Sequence, residues 1–274
     1  MGEWLRWRLP ERVDVTAMLA AGRIVDATGT ALTDHDPYRP HTFVWFYRDL
    51  RDEAPVPGTL HVLHRDERLV VVDKPPFLAT IPRGRHVKES VVVRLRDQLG
   101  LPELSPVHRL DRITSGVLVL TTERRWRGPY QLLFQHRQAR KVYRALAPVD
   151  PDLALPTTVT NHLVKRRGSF QVEVVPDARP NAITRIALVS RHGEHGIYRL
   201  EPLTGRTHQL RAHLYGLGIP IVGDPVYPEV LDVDLDDFRH PLQLLASELA
   251  FTDPVDGAER RFVSDRALPL RAEE

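Results

Sequence analysis

Short apolar segments recur at irregular intervals along this chain, and turn residues separate them. The segment at 117–120 is a continuous apolar run, which is typical of a strand that is covered on both faces. Further strands are predicted at 59–63, 69–72, 141–149, 184–189 and 196–202, and helices at 89–99, from 128 to about 140, and at 207–217. Because strands outnumber helices and do not alternate with them regularly, the pattern predicts an α+β fold with a mixed, mainly antiparallel central sheet flanked by helices and loops.

A proline and glycine cluster at 55–58 divides the chain. Such a cluster continues neither a helix nor a strand, so it indicates a linker. The sequence therefore predicts a small N-terminal region over 1–57, with a short helix followed by strands and turns, and a larger domain over 58–274.

Cysteine is absent from the 274 residues, which excludes disulfides, thiolate zinc sites, iron–sulfur clusters and a cysteine nucleophile. This composition is expected of a protein from a reducing cytoplasm. No apolar stretch approaches the ~18–20 residues of a membrane span, and the first residues hold no apolar run of signal-peptide length. We therefore expect a cytoplasmic protein without a membrane partner.

The basic residues are unevenly distributed, although 38 basic and 36 acidic residues leave a formal net charge of only +2. Seven lysines and arginines and no acidic residue lie between Arg124 and Arg144, and smaller basic groups lie at 83–88 and 165–167. Each run taken alone also fits a solvated helix face. Together they favour a phosphate backbone, and hence RNA or DNA, as the partner, because each phosphate that is neutralised releases counterions.

One carboxylate stands between two arginines in the segment His-Arg-Leu-Asp-Arg-Ile-Thr-Ser-Gly at 108–116. The flanking cations favour the ionised form of Asp111, which suits it to nucleophilic attack better than to general acid catalysis. An aspartate in a loop is also a common turn residue. A phosphatase of the Asp-x-Asp-x-Thr pattern is excluded, since Ile113 occupies the place of the second carboxylate.

Three further polar residues are placed by the predicted elements. On the strand at 141–149, Lys141 and Tyr143 point to the same face. On the helix at 207–217, three leucines share one stripe and Thr207 is expected to cap the first turn. Arg211 lies off that stripe, so we expect it to face a cleft.

These segments resemble, in content and in order, the motifs of the RluA-type family of RNA pseudouridine synthases. The segment around Asp111 is similar to the signature of the family. The others are Val-Asp-Lys-Pro-Pro-Phe-Leu at 72–78, Lys-Val-Tyr at 141–143, Leu-Thr-Gly-Arg-Thr-His-Gln-Leu-Arg at 203–211 and Ile-Pro-Ile-Val-Gly-Asp-Pro at 219–225. The resemblance covers residues 60–262 and implies the pseudouridine synthase fold, with a catalytic cleft.

The resemblance implies the isomerisation of uridine to pseudouridine in a loop of structured RNA, either ribosomal or transfer RNA. The N-glycosidic bond breaks, the uracil turns, and the base is rejoined to the ribose through carbon. Because a stacked uridine is out of reach, such an enzyme flips the nucleotide out at a cost of a few kcal/mol. Neither a cofactor nor a metal is implied, and a monomer is the expected state.

The resemblance also implies roles for individual residues. Asp111 is expected to be the catalytic carboxylate, which either attacks the anomeric carbon or stabilises and deprotonates the ribose. Tyr143 is expected to stack on the flipped uracil, and Arg211 to pair with Asp111. Arg109 is expected to fill the gap left by the flipped base. The other expected contacts to RNA are Lys141, Arg206 and His208, of which the last two are alternatively expected to brace the motif. Lys74 is expected in the cleft wall, where it either binds RNA or gives structural support.

Two other functions stay open at this point. A catalytically silent RNA-binding or RNA-folding module would use the same basic cleft, but it would not need Asp111, Tyr143 and Arg211 together. A nucleoside or glycoside hydrolase would also use an aspartate beside an anomeric carbon, but it normally needs a second carboxylate.

The role of the N-terminal region is open as well. Many relatives in the family carry a small N-terminal RNA-binding domain. Residues 1–57 are expected either to form a degenerate version of that domain or to add strands to the catalytic domain.

Overall fold

The computed structural model describes residues 1–11, 13–47, 52–84 and 86–271. The chain divides into two compact units, Met1–Asp52 and Glu53–Glu274. The smaller unit contains helices α1 (Gly2–Arg8) and α2 (Val15–Ala20) and an antiparallel pair of short strands, β1 (Ile24–Val25) and β2 (Trp45–Phe46). Asp14 caps α2 by accepting a hydrogen bond from the Ala17 N–H at 2.9 Å.

The boundary between the units lies a few residues before the predicted linker. Residues 53–57 group with the larger unit through hydrogen bonds. The Glu53 carboxylate accepts hydrogen bonds from the backbone of residues 87–89, and the Val56 N–H donates to the Glu89 carboxylate. The assignment of separate roles to 1–57 and 58–274 stays a prediction.

The larger unit contains three helices and twelve strands among its described residues. The helices are α3 (Val91–Leu99), α4 (Arg124–Gln135) and α5 (Gln209–Gly216). The strands are β3 (His61–Arg65), β4 (Leu69–Lys74), β5 (Ser105–Pro106), β6 (Ser115–Thr121), β7 (Arg140–Pro148), β8 (Thr157–Asn161), β9 (Leu163–Val164), β10 (Glu173–Val174), β11 (Ala182–His192), β12 (His195–Pro202), β13 (Leu244–Thr252) and β14 (Glu259–Val263). None of the helices in the described part of the chain is long and apolar enough to cross a membrane.

Ten of these strands form one mixed sheet in the order β3-β4-β6-β13-β7-β12-β11-β8, with β5 paired to β6 and β14 to β13. Among the described residues, β13 and β6 run parallel and the other pairs of this sheet run antiparallel. The predicted α+β class with a mainly antiparallel central sheet is therefore confirmed. Strands β9 and β10 form a separate hairpin.

The apolar runs predicted as strands lie at the centre of the sheet. Every residue of β4 and β6 is buried. One face of these two strands packs against Val91 and Leu95 of α3, and the other against Tyr130 and Leu133 of α4. The continuous apolar pattern thus reflects helices on both faces.

Two of the three helix predictions needed correction at their ends. Helix α4 runs from Arg124 to Gln135 with Pro129 inside it, so the predicted start at 128 and the predicted end near 140 are both wrong. Helix α5 begins at Gln209, and its N-cap is His208 in the left-handed conformation (φ 53°), so the predicted cap at Thr207 is also wrong. The third helix, α3, ends as predicted at Gly100, whose φ of 66° favours glycine.

Gly116 explains how the segment that carries Asp111 joins the sheet. Its φ is +108°, and a Cβ at this position would lie 2.3 Å from the backbone oxygen of Ala246. Only glycine therefore allows β6 to approach the parallel strand β13 this closely. This approach holds the loop that precedes β6 at the middle of the sheet.

Candidate active site

A cleft of about 760 Å³ opens beside the middle of the sheet. It is lined by the loop before β6, by the beginning of β7 and by the segment that leads into α5. Seven of the eight residues predicted for the site line it, namely Asp111, Tyr143, Arg211, Arg109, Arg206, His208 and Lys141. Three separate motifs of the sequence thus meet in one cleft.

The loop that carries Asp111 is held by two hydrogen bonds to the side chain of the buried residue Thr80. The Thr80 hydroxyl donates to the Leu110 carbonyl at 2.8 Å and accepts from the Leu110 N–H at 3.2 Å. One residue later the Asp111 carbonyl accepts the Thr114 N–H at 3.0 Å, which closes a tight turn. The backbone of Asp111 is therefore held on both sides, while 37% of its side chain stays accessible from the cleft.

Two basic groups approach the Asp111 carboxylate, and both come from the start of α5. Arg211 Nη1 lies 3.5 Å from Asp111 Oδ2, and His208 Nε2 lies 3.9 Å from the same oxygen. The neighbouring Arg112 instead donates to the carbonyls of Phe77 and Leu235. Within the described part of the chain, the basic side chains within 4 Å of this carboxylate thus come from another motif and not from the flanking arginines.

Arg211 lines the cleft, as the helix pattern predicted, but its side chain is buried. Its side chain is 3% exposed, because Asp224 covers it and binds it with two oxygens. Nε donates to Asp224 Oδ2 at 2.7 Å and Nη2 to Oδ1 at 2.6 Å, which leaves Nη1 for Asp111. The bidentate pair raises the pKa of Arg211 against the opposing effect of its burial, so this side chain stays a cation.

Sequence reasoning assigned no role to Asp224. Its signal is weak: a single carboxylate between Gly223 and Pro225 at the end of an apolar segment. Its partner lies thirteen positions earlier on a helix, so only the folded chain brings the two together.

His208 is held as a neutral imidazole. Burial and the nearby Arg211 lower its pKa to about 4, although Asp111 acts in the opposite direction. Its ring packs edge-on against Tyr227, with the centroids 5.9 Å apart. The residue therefore contributes a neutral hydrogen-bonding group to the cleft at physiological pH.

Tyr143 and Lys141 lie on one face of β7, as the strand period predicted. Burial and the Asp111 carboxylate raise the pKa of Tyr143, so its phenol keeps its proton. The Lys141 ammonium donates to the Thr204 carbonyl at 3.3 Å, and burial followed by Arg137 lowers its pKa. Nearby, burial of the His108 ring lowers its pKa to about 3, and this ring stacks on Phe134.

The remaining predicted residues divide into surface and interior positions. Arg109 and Arg206 are exposed at the cleft, and the Arg206 Nε also donates to the Asn181 carbonyl at 3.3 Å. Lys74 is fully buried and does not line the cleft, so the expected contact to RNA is corrected for this residue. Its ammonium donates to the carbonyls of Pro75, Leu78 and Arg112 at 2.8–2.9 Å.

The described residues bring no three of the side chains His, Asp and Glu together in a group that could hold a metal ion. The cleft presents one accessible carboxylate, its two basic neighbours, a protonated tyrosine and a rim of cations.

A family model described as RNA pseudouridylate synthase matches residues 68–215. The chain is 33% identical over 205 residues to the dual-specificity RNA pseudouridine synthase RluA of Vibrio cholerae, which covers 71% of this chain and 78% of that protein. It is 31% identical over 215 residues to the protein of the same description from Yersinia pestis, covering 73% and 96%. The solved structure of human RNA pseudouridylate synthase domain containing 1 matches with a TM-score of 0.63 at 23% identity, over 79% of this chain and 86% of that one.

Proposed function

The chain belongs to the RluA-type family of RNA pseudouridine synthases, isomerases that act on uridine in RNA, and from this premise we propose that it modifies a uridine in a loop of ribosomal or transfer RNA with Asp111 as the catalytic carboxylate. The observation that carries the proposal is the arrangement around that carboxylate. Asp111 is accessible from the cleft and lies 3.5 Å from a buried, bidentately held arginine.

The reaction is an isomerisation, so atoms and charge balance without a co-reactant. The bond between N1 of uracil and C1′ of ribose breaks, and a bond between C5 and C1′ forms. The proton on C5 is lost, and N1 takes up a proton. The enzyme has to stabilise a ribose that becomes electron-poor at C1′ and a uracil that carries negative charge while it turns.

Asp111 meets the requirements of the ribose step. The nearest atoms of the two basic neighbours, Arg211 Nη1 and His208 Nε2, both lie beside Oδ2 of Asp111. The other carboxylate oxygen, Oδ1, is therefore available to the sugar. An anionic oxygen fixed beside C1′ either forms a bond to that carbon or stabilises the positive charge and removes a proton from the ribose. The same placement serves both mechanisms.

Tyr143 is suited to hold the uracil. Its pKa is raised by burial and by Asp111, so the ring presents an uncharged aromatic face. A base that stacks on such a face gains about 1–3 kcal/mol. This contact favours a flat, stacked uracil beside Asp111 while the base turns.

The exposed cations at the cleft support the flipping step. Unstacking a nucleotide costs a few kcal/mol, and contacts that form only with the flipped state offset this cost. Arg109 stands two residues before Asp111 and is exposed, so its planar guanidinium can occupy the vacated position in the RNA helix. Arg206 and Lys141 stand beside the same cleft, where their charges fit the phosphates on either side of the uridine.

The decisive experiment compares Asp111→Asn with the unchanged enzyme on unmodified ribosomal and transfer RNA transcripts. Asparagine keeps the size of the side chain and removes its charge, so we expect pseudouridine formation to be lost while RNA affinity stays within about threefold. The matched control is Asp97→Asn, an exposed aspartate on α3 outside the cleft, which should leave the rate unchanged. Both RNA classes belong in the assay, because the Vibrio cholerae relative is described as dual-specificity.

Two outcomes would count against the proposal. If the unchanged enzyme binds RNA but forms pseudouridine in neither class, a silent RNA-binding module is the better description. If Asp111→Asn stays active, the carboxylate is not the catalytic group. We also propose a monomeric, cytoplasmic enzyme on the sequence arguments given above, and size-exclusion chromatography of the purified protein tests the monomer.

A further inference from the structure

A chain of contacts leads from Asp111 to a hairpin outside the cleft floor. His208 Nε2 lies 3.9 Å from Asp111 Oδ2, and Nδ1 of the same ring lies 3.4 Å from the hydroxyl oxygen of Tyr227. That hydroxyl in turn accepts the backbone N–H of Val172 at 2.9 Å. Val172 belongs to the hairpin of β9 and β10, which also carries the basic group at 165–167.

The directions of these hydrogen bonds define the tautomer of His208. A phenol has one O–H donor, and the Tyr227 oxygen is already the acceptor for the Val172 N–H. Its own proton is available to His208 Nδ1, and in the arrangement in which the phenol donates, this nitrogen accepts with its lone pair. A neutral imidazole that accepts at Nδ1 carries its proton at Nε2, and this N–H is the group that faces Asp111 Oδ2.

Tyr227 is held firmly enough to impose this direction. Its side chain is buried, and the Arg211 guanidinium lies 5.4 Å from the centre of its ring. Its backbone N–H donates to Asp224 Oδ1 at 3.2 Å, so it shares a carboxylate with Arg211. The hairpin is tied to the same place, because the Gln171 side chain donates to the carbonyls of Val226 and Pro228.

The charges around His208 make the tautomer matter. Arg211 and Lys165 oppose a positive charge on the ring, whereas Asp111 and Asp224 favour it, and burial adds to the opposition. The ring is therefore neutral and has a single N–H to offer. If that proton stood on Nδ1, a lone pair would face the Asp111 carboxylate and repel it.

We propose that Tyr227 is a positioning residue that fixes the Nε2–H tautomer of His208, so that His208 and Arg211 together hold Asp111 Oδ2 and leave Oδ1 for the ribose. The inference rests on the proposed role of Asp111 and extends it. It also couples the basic hairpin to the reacting carboxylate, since the Val172 N–H is what sets the direction of the Tyr227 hydroxyl.

The first test reads the tautomer directly. In enzyme labelled with ¹⁵N-histidine, the ring nitrogens of His208 are identified as the signals that disappear in His208→Gln, and their shifts distinguish the two tautomers. We expect Nε2–H in the unchanged enzyme and a mixture in Tyr227→Phe. The matched control is Tyr215→Phe, because Tyr215 belongs to the same aromatic cluster but is exposed.

The second test is kinetic. Under single-turnover conditions we expect Tyr227→Phe to lower the rate about 5–10-fold, the effect of one hydrogen bond on a barrier, and Tyr215→Phe to leave it unchanged. Glutamine at 208 has no tautomers, because its side-chain nitrogen always carries the donor protons. In the His208→Gln background, Tyr227→Phe should therefore lower the rate by less than about a further twofold. If Tyr227 acted only by supporting the fold, the rate losses of the two substitutions would multiply.

Three results would overturn the inference. These are an Nδ1–H tautomer in the unchanged enzyme, an unchanged tautomer in Tyr227→Phe, or full multiplication of the two losses in the double variant. The spectrum of the unchanged enzyme decides the matter even if Tyr227→Phe does not fold. It also separates this inference from the proposed function, since the tautomer is measured whether or not any RNA is converted.

Discussion

The buried pair of Arg211 and Asp224 should be among the most sensitive points of the fold. Their side chains are 3% and 0% exposed and share two hydrogen bonds of 2.6 and 2.7 Å. In Asp224→Asn, Oδ1 can keep its contacts to Arg211 Nη2 and to the backbone N–H groups of Val226 and Tyr227. The new amide must then face the Arg211 Nε–H, so two donors meet and the guanidinium charge loses its buried counterion.

Removing one partner of a buried ion pair costs about 3–5 kcal/mol, and we expect Asp224→Asn to lower the free energy of unfolding by that amount. For a unit of this size, about 2–4 °C of melting temperature correspond to each kcal/mol, so the expected decrease is roughly 6–20 °C. Arg211→Met should have a similar cost, because it leaves Asp224 buried without its cation.

The double variant Arg211→Met/Asp224→Asn provides the critical comparison. If the single costs arise from an orphaned charge, the double variant should recover at least about 2 kcal/mol relative to their sum, as coupled neighbours do. Urea denaturation followed by circular dichroism measures all four proteins. Additive costs would refute the reasoning, because they would mean that each residue stabilises the fold independently of the other.

Two further predictions concern the contact between β6 and β13 and the free energy of unfolding at acidic pH. Gly116→Ala should lower the free energy of unfolding by about 2–5 kcal/mol in urea denaturation, because the methyl group meets the Ala246 carbonyl and the backbone keeps a positive φ. The control is Gly100→Ala, which also lies at positive φ but has open space around it, and it should cost only about 1 kcal/mol. Burial lowers the pKa of His213 to about 4, below the ~6.5 of the unfolded chain, so its stabilisation is complete above pH 6.5 and is lost as the pH falls towards 4. Urea titrations at several pH values measure how the free energy of unfolding changes with pH. In this window we expect the slope to be smaller in His213→Gln than in the unchanged protein, by up to about 1.4 kcal/mol per pH unit, and an unchanged slope would contradict the assignment.

Local sequence patterns predicted six of the ten strands of the central sheet, whereas β5, β8, β13 and β14 were not predicted. The strands β4, β6, β7 and β12 lie within one or two residues of the predicted segments, since burial on one or both faces imposes a period that the sequence displays. The ends of α4 and α5 were less accessible to prediction. At α5 a histidine in the left-handed conformation replaces the expected cap, and this choice depends on contacts with Tyr227 and Asp111 that lie elsewhere in the chain.

The candidate site was also predicted only in part from the sequence. The resemblance placed Asp111, Tyr143 and Arg211 in one cleft because motif and chemistry coincide there. The burial of Arg211 against Asp224 could not be predicted, because a helix period reports only the apolar stripe. It does not report that the loop at 219–227 folds over the opposite side and contributes Asp224.

Lys74 illustrates why burial decides what a basic residue near a motif does. Its ammonium group is surrounded by three backbone carbonyls, and burial followed by Arg112 lowers its pKa well below the ordinary value. One of these carbonyls belongs to Arg112, the residue after Asp111, so Lys74 supports the loop that carries Asp111. Asp224 supports Arg211 on the other side of the same carboxylate. The position of Asp111 thus depends on two buried basic side chains, Lys74 and Arg211, and both are held by oxygen atoms within the protein.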